Sequence, residues 1–287
     1  MRVASLDVGK VTRQKLASFT VAGIEVTNPA KPAEGVTIGA IEINGVDWEQ
    51  VLPLLGRDDA MGQMRNVRYG VDKISFRDIG GPSFAMLGAV LHEISCSGSA
   101  NPDTGKEIST ASITGFDIDT AKVKNPEAAG FLNALGYDHL SLSMETAGTG
   151  DSKAGTSSLD KMRIFGPNVG ELGLNFALSD YRRPPGGKAS SSLDDALGPL
   201  IAAKLQGLRL SWHDDGLSGR LLKFAAAQNG ASPDQLRDGL IAQIKSFGAA
   251  FQDVPMVAGA VQALVVYLNK LGTLMIEAKP PKPRTLG

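Results

Sequence analysis

The sequence predicts a β-rich α+β fold: an extended, meandering antiparallel sheet with short inter-strand helices and a C-terminal helical segment packed on it. Three observations lead there. Alternating apolar and polar residues recur through positions 1–181, at the period of two that a half-buried strand requires. Glycine is abundant, at 34 of 287 residues, while aromatics make up only 6%. That balance suits many turns better than a helical bundle. Beyond residue 193 the apolar spacing lengthens to that of helices.

VAGIEVT (21–27), IGAIEIN (38–44) and ITGFDID (113–119) share one template. Alternation directs Ile24 with Val26, Ile41 with Ile43, and Phe116 with Ile118 to one side. Glu25, Glu42 and Asp117 then face solvent. The copies are irregularly spaced, so the expectation is a weak internal repeat and not a solenoid. Further strands are expected at 67–77, 84–94, 137–145, 156–165 and 169–178. Turn-rich breaks at 80–82, 97–105 and 148–155 separate them. Short helices are expected over 45–56 and 123–136. In the second, Asn125 is the N-cap, Pro126 takes the first helical position and Gly136 lies past the end.

Residues 182–192, RRPPGGKASSS, cannot continue a central strand and read as a linker or loop. The segment 193–279 then combines helical character over 194–206, a strand at 207–212, helices near 216–228, 233–251 and 254–271, and a last strand at 273–279. Ser232, Pro233 and Gln235 form a capping box. The helix it opens is expected to bury Leu236, Leu240, Ile241 and Ile244. Residues 280–287 read as a proline-rich tail. Neither end has the pattern of a natural terminus, so a longer exported or envelope-anchored chain is expected.

Charge excludes some partners. The net charge is −1, which argues against a nucleic-acid partner for the whole chain. Residues 1–181 carry 16 Lys/Arg against 22 Asp/Glu, and 182–287 carry 13 against 8. An acidic strand-rich part thus precedes a basic helical part. Cys96 is the one cysteine, so an internal disulfide and a thiolate zinc cluster are excluded. The opening MRVASLDVGKV holds no apolar signal core. The longest apolar run, 254–268, is too short to span a bilayer, so no transmembrane segment is expected. Phosphate-binding, nucleophile-elbow, zincin and dinucleotide motifs do not occur, and neither cofactor nor metal is expected.

WHDD (212–215) is the most suggestive stretch for chemistry. A hydrolase or metal-dependent enzyme would use His213 as base or ligand with Asp214 and Asp215 beside it. Strand logic gives every residue another task. Leu208, Leu210 and Trp212 form the buried side, and Arg209, Ser211 and His213 the other. Asp215 sits where an N-cap is wanted, and Asp214 favours the positive end of a helix whose apolar face is Leu217, Leu221, Phe224 and Ala225. Asp215 is therefore expected to matter for folding and His213 little. His92 and Cys96 lie on one strand side but about 13 Å apart, too far for a dyad. His139 reads as an exposed strand residue. The helix at 254–272 is apolar nearly all round. Val257, Val261, Leu264, Val265 and Leu268 are its candidates for lining a hydrophobic ligand site.

The stretch from YDHLSLS (137–143) through SSLDKMRIFGPNVGELGLNFALSDY (157–181) and LRLSWHDDGLSGRLLKFAAAQNGASPDQLRDGL (208–240) resembles uncharacterised proteobacterial envelope proteins of the YdgA-like type. In those, strands with small polar turns precede a strand-plus-helices segment opened by an acidic turn. The resemblance implies a periplasmic or envelope setting and supplies no catalytic residues; the cytoplasm stays open as an alternative. The function expected is non-enzymatic: scaffolding, or binding a hydrophobic ligand such as a lipid in a groove of the fold, with an envelope protein as a further partner. The rivals are the His213 enzyme and a structural protein–protein interaction module.

Overall fold

Alternation in the first 181 residues produces strands, and each pairs with the next one in the chain. The computed structural model describes residues 1–28, 30–51, 70–101, 103–181, 202–250, 255–280 and 284–285. The chain opens with β1 (Ser5–Val8), β2 (Lys15–Asn28), β3 (Lys31–Asp47), the single-turn α1 (Trp48–Val51) and β4 (Val71–Gly80). Then come α2 (Pro82–Met86), β5 (Ala89–Ala100), β6 (Lys106–Asp119), a 3-10 turn (Thr120–Lys122) and α3 (Pro126–Ala134). A run of three strands follows, β7 (His139–Asp151), β8 (Thr156–Gly166) and β9 (Gly170–Ser179). β10 (Lys204–Asp214) precedes α4 (Leu217–Gln228), α5 (Pro233–Ala249), α6 (Pro255–Lys270), β11 (Thr273–Ala278) and β12 (Arg284–Thr285).

Among the described residues these strands form one 12-stranded antiparallel sheet in which β1 to β11 lie in chain order. The two-residue β12 shares the outer edge of β10 with β11. The fold is β-rich as expected, with its weight in strands and not in a balanced mixture. Helix caps follow the sequence. Asn125 accepts from the amides of Glu127 and Ala128, and the Ser232–Gln235 capping box is complete, at 2.9 and 3.2 Å.

Several expectations change. Residues 84–94 are not one strand. Gly81 (φ 100) and Pro82 start α2, and left-handed Gly88 ends it, so β5 begins only at Ala89. The helix expected over 45–56 is strand up to Asp47 and helix from Trp48, while 52–56 lie outside the described residues. Gly45, at φ 66, lets the strand carry Val46 on into a core cluster with Leu16. The breaks at 97–105 and 148–155 are shorter. Hydroxyl pairs between strands, Ser97 with Thr110 and Thr149 with Ser158, extend β5 to Ala100 and β7 to Asp151.

Residues 204–206 are strand and not helix, because Lys204 and Leu205 pair with Ser179 and Leu178 on one side and with Thr285 and Arg284 on the other. The tail is thus not wholly an extended linker. Residues 182–192, and 194–201 of the expected helix, lie outside the described residues. On α4 Leu221 is exposed, and Ala226 takes the buried position. Leu236, Leu240, Ile241 and Ile244 on α5 are half-buried.

A crease crosses five strands. Apolar residues that should recur every second position are three apart at one place in each: Val21 and Ile24, Ile38 and Ile41, Phe76 and Ile79, Leu91 and Ile94, Ile113 and Phe116. The places coincide, because Ile24 pairs with Ile38, Ile38 with Ile79, Ile79 with Leu91, and Leu91 with Phe116. On alternate strands a residue in the left-handed region sits in the gap: Gly23 (φ 62), Asp78 (φ 52) and Gly115 (φ 64). Such a residue interrupts the alternation by one step, so both apolar rows stay on one side. At β7 the crease ends in a bulge, where Thr114 and Gly115 stand against Ser143 alone and the Ser143 hydroxyl accepts from the Gly115 amide at 3.1 Å. The phase is checked on β7, where Leu142 and Met144 alternate normally and pair with Phe116 and Ile113.

Gly115→Ala should lower stability by about 1–2 kcal/mol, from left-handed strain and from a Cβ placed 2.6 Å from His92 Cδ2. Gly130→Ala on α3, where a Cβ meets nothing within 4 Å, should raise it by about 0.5–1 kcal/mol. Urea midpoints of the two variants moving the same way would refute the crease argument.

Candidate functional site

The residues aligned by this register make one side of the sheet apolar from edge to edge. One row of direct cross-strand neighbours begins at Leu6 and passes through Val21, Ile41, Phe76, Ile94 and Ile113. It continues through Met144, Ile164, Leu172 and Trp212 to Leu274. A second row, two residues along, runs from Val8 through Phe19, Ile43 and Ile74 to Leu210 and Ile276, with Thr146 its single polar member. Ten inter-strand steps give the first row a contour of about 48 Å.

The other side is a polar ladder. Thr20, Glu42, Ser75, Ser95, Ser112, Glu145 and Arg163 are successive neighbours there. Ser95 and Ser112 share a 2.8 Å hydrogen bond, and Arg77 pairs with Glu42 at 2.9 Å. Arg163 bonds Glu171 and so holds that carboxyl below its ordinary range.

Two buried clusters lie toward the ends of the apolar side. Leu16 and Val46 pack with Phe19, Ile43, Trp48 and Val71. Leu135, Tyr137 and Val169 pack with Leu140, Leu142, Trp212, Leu217 and Phe224. Between them Phe76, Ile94, Ile113, Met144 and Ile164 are half-buried and belong to neither cluster, and Cys96 is exposed. These partly wetted residues are the candidate site.

WHDD lies at the closed end of this face and is fully occupied structurally. Trp212 Nε1 donates to Tyr267 of α6 at 2.8 Å and lies 3.3 Å from Ser218 of α4, and the two hydroxyls also bond each other. Asp214, and not Asp215, serves α4: its Oδ1 accepts from the Ser218 amide at 2.8 Å, while the N-cap itself is left-handed Gly216. Asp215 instead accepts from the Asn168 amide at 2.9 Å, fastening the turn between β8 and β9. The Asn168 carbonyl accepts from Tyr137, whose burial pushes its pKa up. Arg220 lies over the Tyr137 ring and donates to the carbonyls of Leu135 and Gly136. His213 points to the polar side, exposed, with Nδ1 3.1 Å from Thr273 Oγ1. His213, Asp214 and Asp215 therefore do not converge on a common point.

Two other histidines do converge, which alternation alone missed. His92 Nε2 is 2.9 Å from one oxygen of Asp117, and His139 Nε2 is 4.0 Å from the other. The Ser141 hydroxyl, followed by His92 and His139, holds the Asp117 carboxyl below its ordinary range. The sequence signal was the crease, which takes His92 out of line with Cys96 and over Gly115. Among the described residues no group of three His, Cys, Asp or Glu side chains is arranged to hold a metal.

On α6, Val265 is buried and Val257, Val261, Leu264 and Leu268 are half-buried. Val261 lies against Gly248 of α5, where an added Cβ would meet it at 2.8 Å. A cleft of about 550 Å³ opens at the strand ends around Glu107, Asp151, Lys153 and Tyr181, away from both the apolar rows and His213. No helix among the described residues is long and apolar enough to cross a membrane.

Fold and face together define a single-sheet β-meander with one polar and one apolar side. A family model described only as an uncharacterized protein matches residues 163–287, from within β8 onward, less than half of the chain. No curated protein and no solved structure matches the chain.

Removing Asp214 or Asp215 by alanine should each cost about 1 kcal/mol or more, whereas His213→Ala should stay within about 0.5 kcal/mol. Denaturant titration of the three variants checks this, and a His213→Ala loss as large as the others would return His213 to consideration. Asp117 ionises more readily folded than unfolded. Its contribution is complete above the unfolded value of about 3.9 and vanishes as pH falls through the lower folded value. Between about pH 5 and about pH 2 the wild type should therefore lose more stability than Asp117→Asn. Parallel acid curves for the two proteins would contradict the assignment.

Proposed function

We propose that this protein binds a hydrophobic ligand, an acyl-chain lipid, along the apolar face of its sheet, and that it works without catalysis in the bacterial envelope. The observation that carries this reading is the in-register apolar row, whose middle members are half-buried and belong to neither packed cluster. A monomer normally hides so long an apolar surface or uses it. Each methylene laid on it contributes roughly 0.8 kcal/mol, so even ten or so offset the cost of immobilising a chain.

The envelope setting rests on the resemblance to YdgA-like proteins alone. The hydrolase reading gains no support from the geometry. Asp214 and Asp215 are engaged with backbone amides, and His213 is turned to the opposite side of the sheet from Trp212.

Native mass spectrometry and solvent extraction of protein purified without detergent should reveal a bound hydrophobe. Ile94→Lys, a charge at the half-exposed centre, should expel it. Clean wild-type protein that also fails to take up a fluorescent fatty acid would defeat the proposal.

A further inference from the structure

The apolar rows end on an uncovered edge. Leu6 and Val8, their outermost members, are 60% and 52% exposed, and Val3 and Val11 nearby are 44% and 58% exposed. Among the described residues β1 pairs with β2 alone, and its other edge has no strand partner. Sheet edges are usually protected by inward charges, prolines, bulges or a covering element. This one instead displays four aliphatic side chains within nine residues.

The same stretch is basic. Between residues 2 and 15, Arg2, Lys10, Arg13 and Lys15 stand against Asp7 alone. Arg2 lies opposite Glu25, and Lys15 opposite Asp47, across the ladder to β2 and β3. Lys10, beside Ala17, and Arg13, in the β1–β2 turn, are exposed and have no carboxylate opposite them among the described residues. Exposed aliphatic groups flanked by such cations match the chemistry of an anionic lipid surface: apolar groups enter the acyl boundary while cations meet the headgroups.

We propose that the β1 edge docks on an anionic lipid bilayer, placing the open end of the apolar face where a hydrophobic ligand can pass between membrane and protein. The passage rests on the lipid-binding reading above; the docking does not. Charge disfavours a second copy in two of the antiparallel registers open to it. Antiparallel pairing of two β1 strands centred on Leu6 sets Arg2 opposite Lys10 of the second copy, and pairing centred on Asp7 sets two aspartates face to face.

Vesicle flotation tests this directly. The protein should float with phosphatidylcholine vesicles containing phosphatidylglycerol and not with phosphatidylcholine alone, and salt should weaken the binding. Lys10→Gln with Arg13→Gln should lower partitioning roughly 30-fold, taking about a factor of five per cation. Leu6→Ser with Val8→Ser should lower it further at high salt. Because these side chains are exposed, the urea midpoints should stay unchanged, which separates lost docking from lost folding. Equal binding to both vesicle types overturns the proposal. So does binding that ignores the charge variants, or a dimer dissolved by Leu6→Ser with Val8→Ser in the absence of flotation. A protein that floats yet carries no hydrophobe supports the docking and defeats the ligand reading. One that carries a hydrophobe but does not float defeats the docking alone.

Discussion

Lateral register is the constraint on which the rest of this structure depends. Eleven strands lie side by side in chain order, and each receives its phase from its neighbours. A slip of one residue in any strand would move its apolar set to the polar side. The crease strengthens that constraint, because the three-residue spacings in β2 to β6 match only in one alignment. It also accounts for the similarity of VAGIEVT, IGAIEIN and ITGFDID. In all three a glycine lies in the gap, and Gly23 and Gly115 are left-handed there.

The end of the sheet at β10 is secured differently, by hydrogen bonds that link elements far apart in sequence. Asp215 reaches the β8–β9 turn, Asp214 the first turn of α4, Arg220 the end of α3, and Trp212 the tyrosine of α6. Trp212, Asp214 and Arg220 are half-buried, where a group left unpaired is costly, while Asp215 is exposed. A dense group of acidic, aromatic and basic residues here is thus a structural node, with the chemistry of such residues spent on joining layers.

Between that node and the β1 edge the two faces divide the work. Ion pairs and hydroxyl pairs join strands across the polar side, and apolar side chains line the other. Phe76, Ile94, Ile113, Met144 and Ile164 belong to neither packed cluster, and this half-buried centre and the open edge carry the functional proposals.

Much of the local structure was legible in the sequence. The strands at 137–179, the strand through Trp212, the Asn125 cap and the Ser232 capping box all follow from period two, proline placement and backbone amides that need partners. WHDD was legible as a strand-to-helix junction, because adjacent residues at a strand end diverge. Which aspartate serves the helix was not, since Asp215 is claimed by Asn168, 47 residues earlier. The joining of His92 and His139 at Asp117 was hidden as well, since it arises only when β5, β6 and β7 align across the crease. The sequence by itself determined the period of each segment and where caps and turns must fall, for these depend on neighbours within a few residues. Only the tertiary structure decided the phase between strands and the convergence of distant side chains, because register is a property of pairs of strands and no single strand contains it.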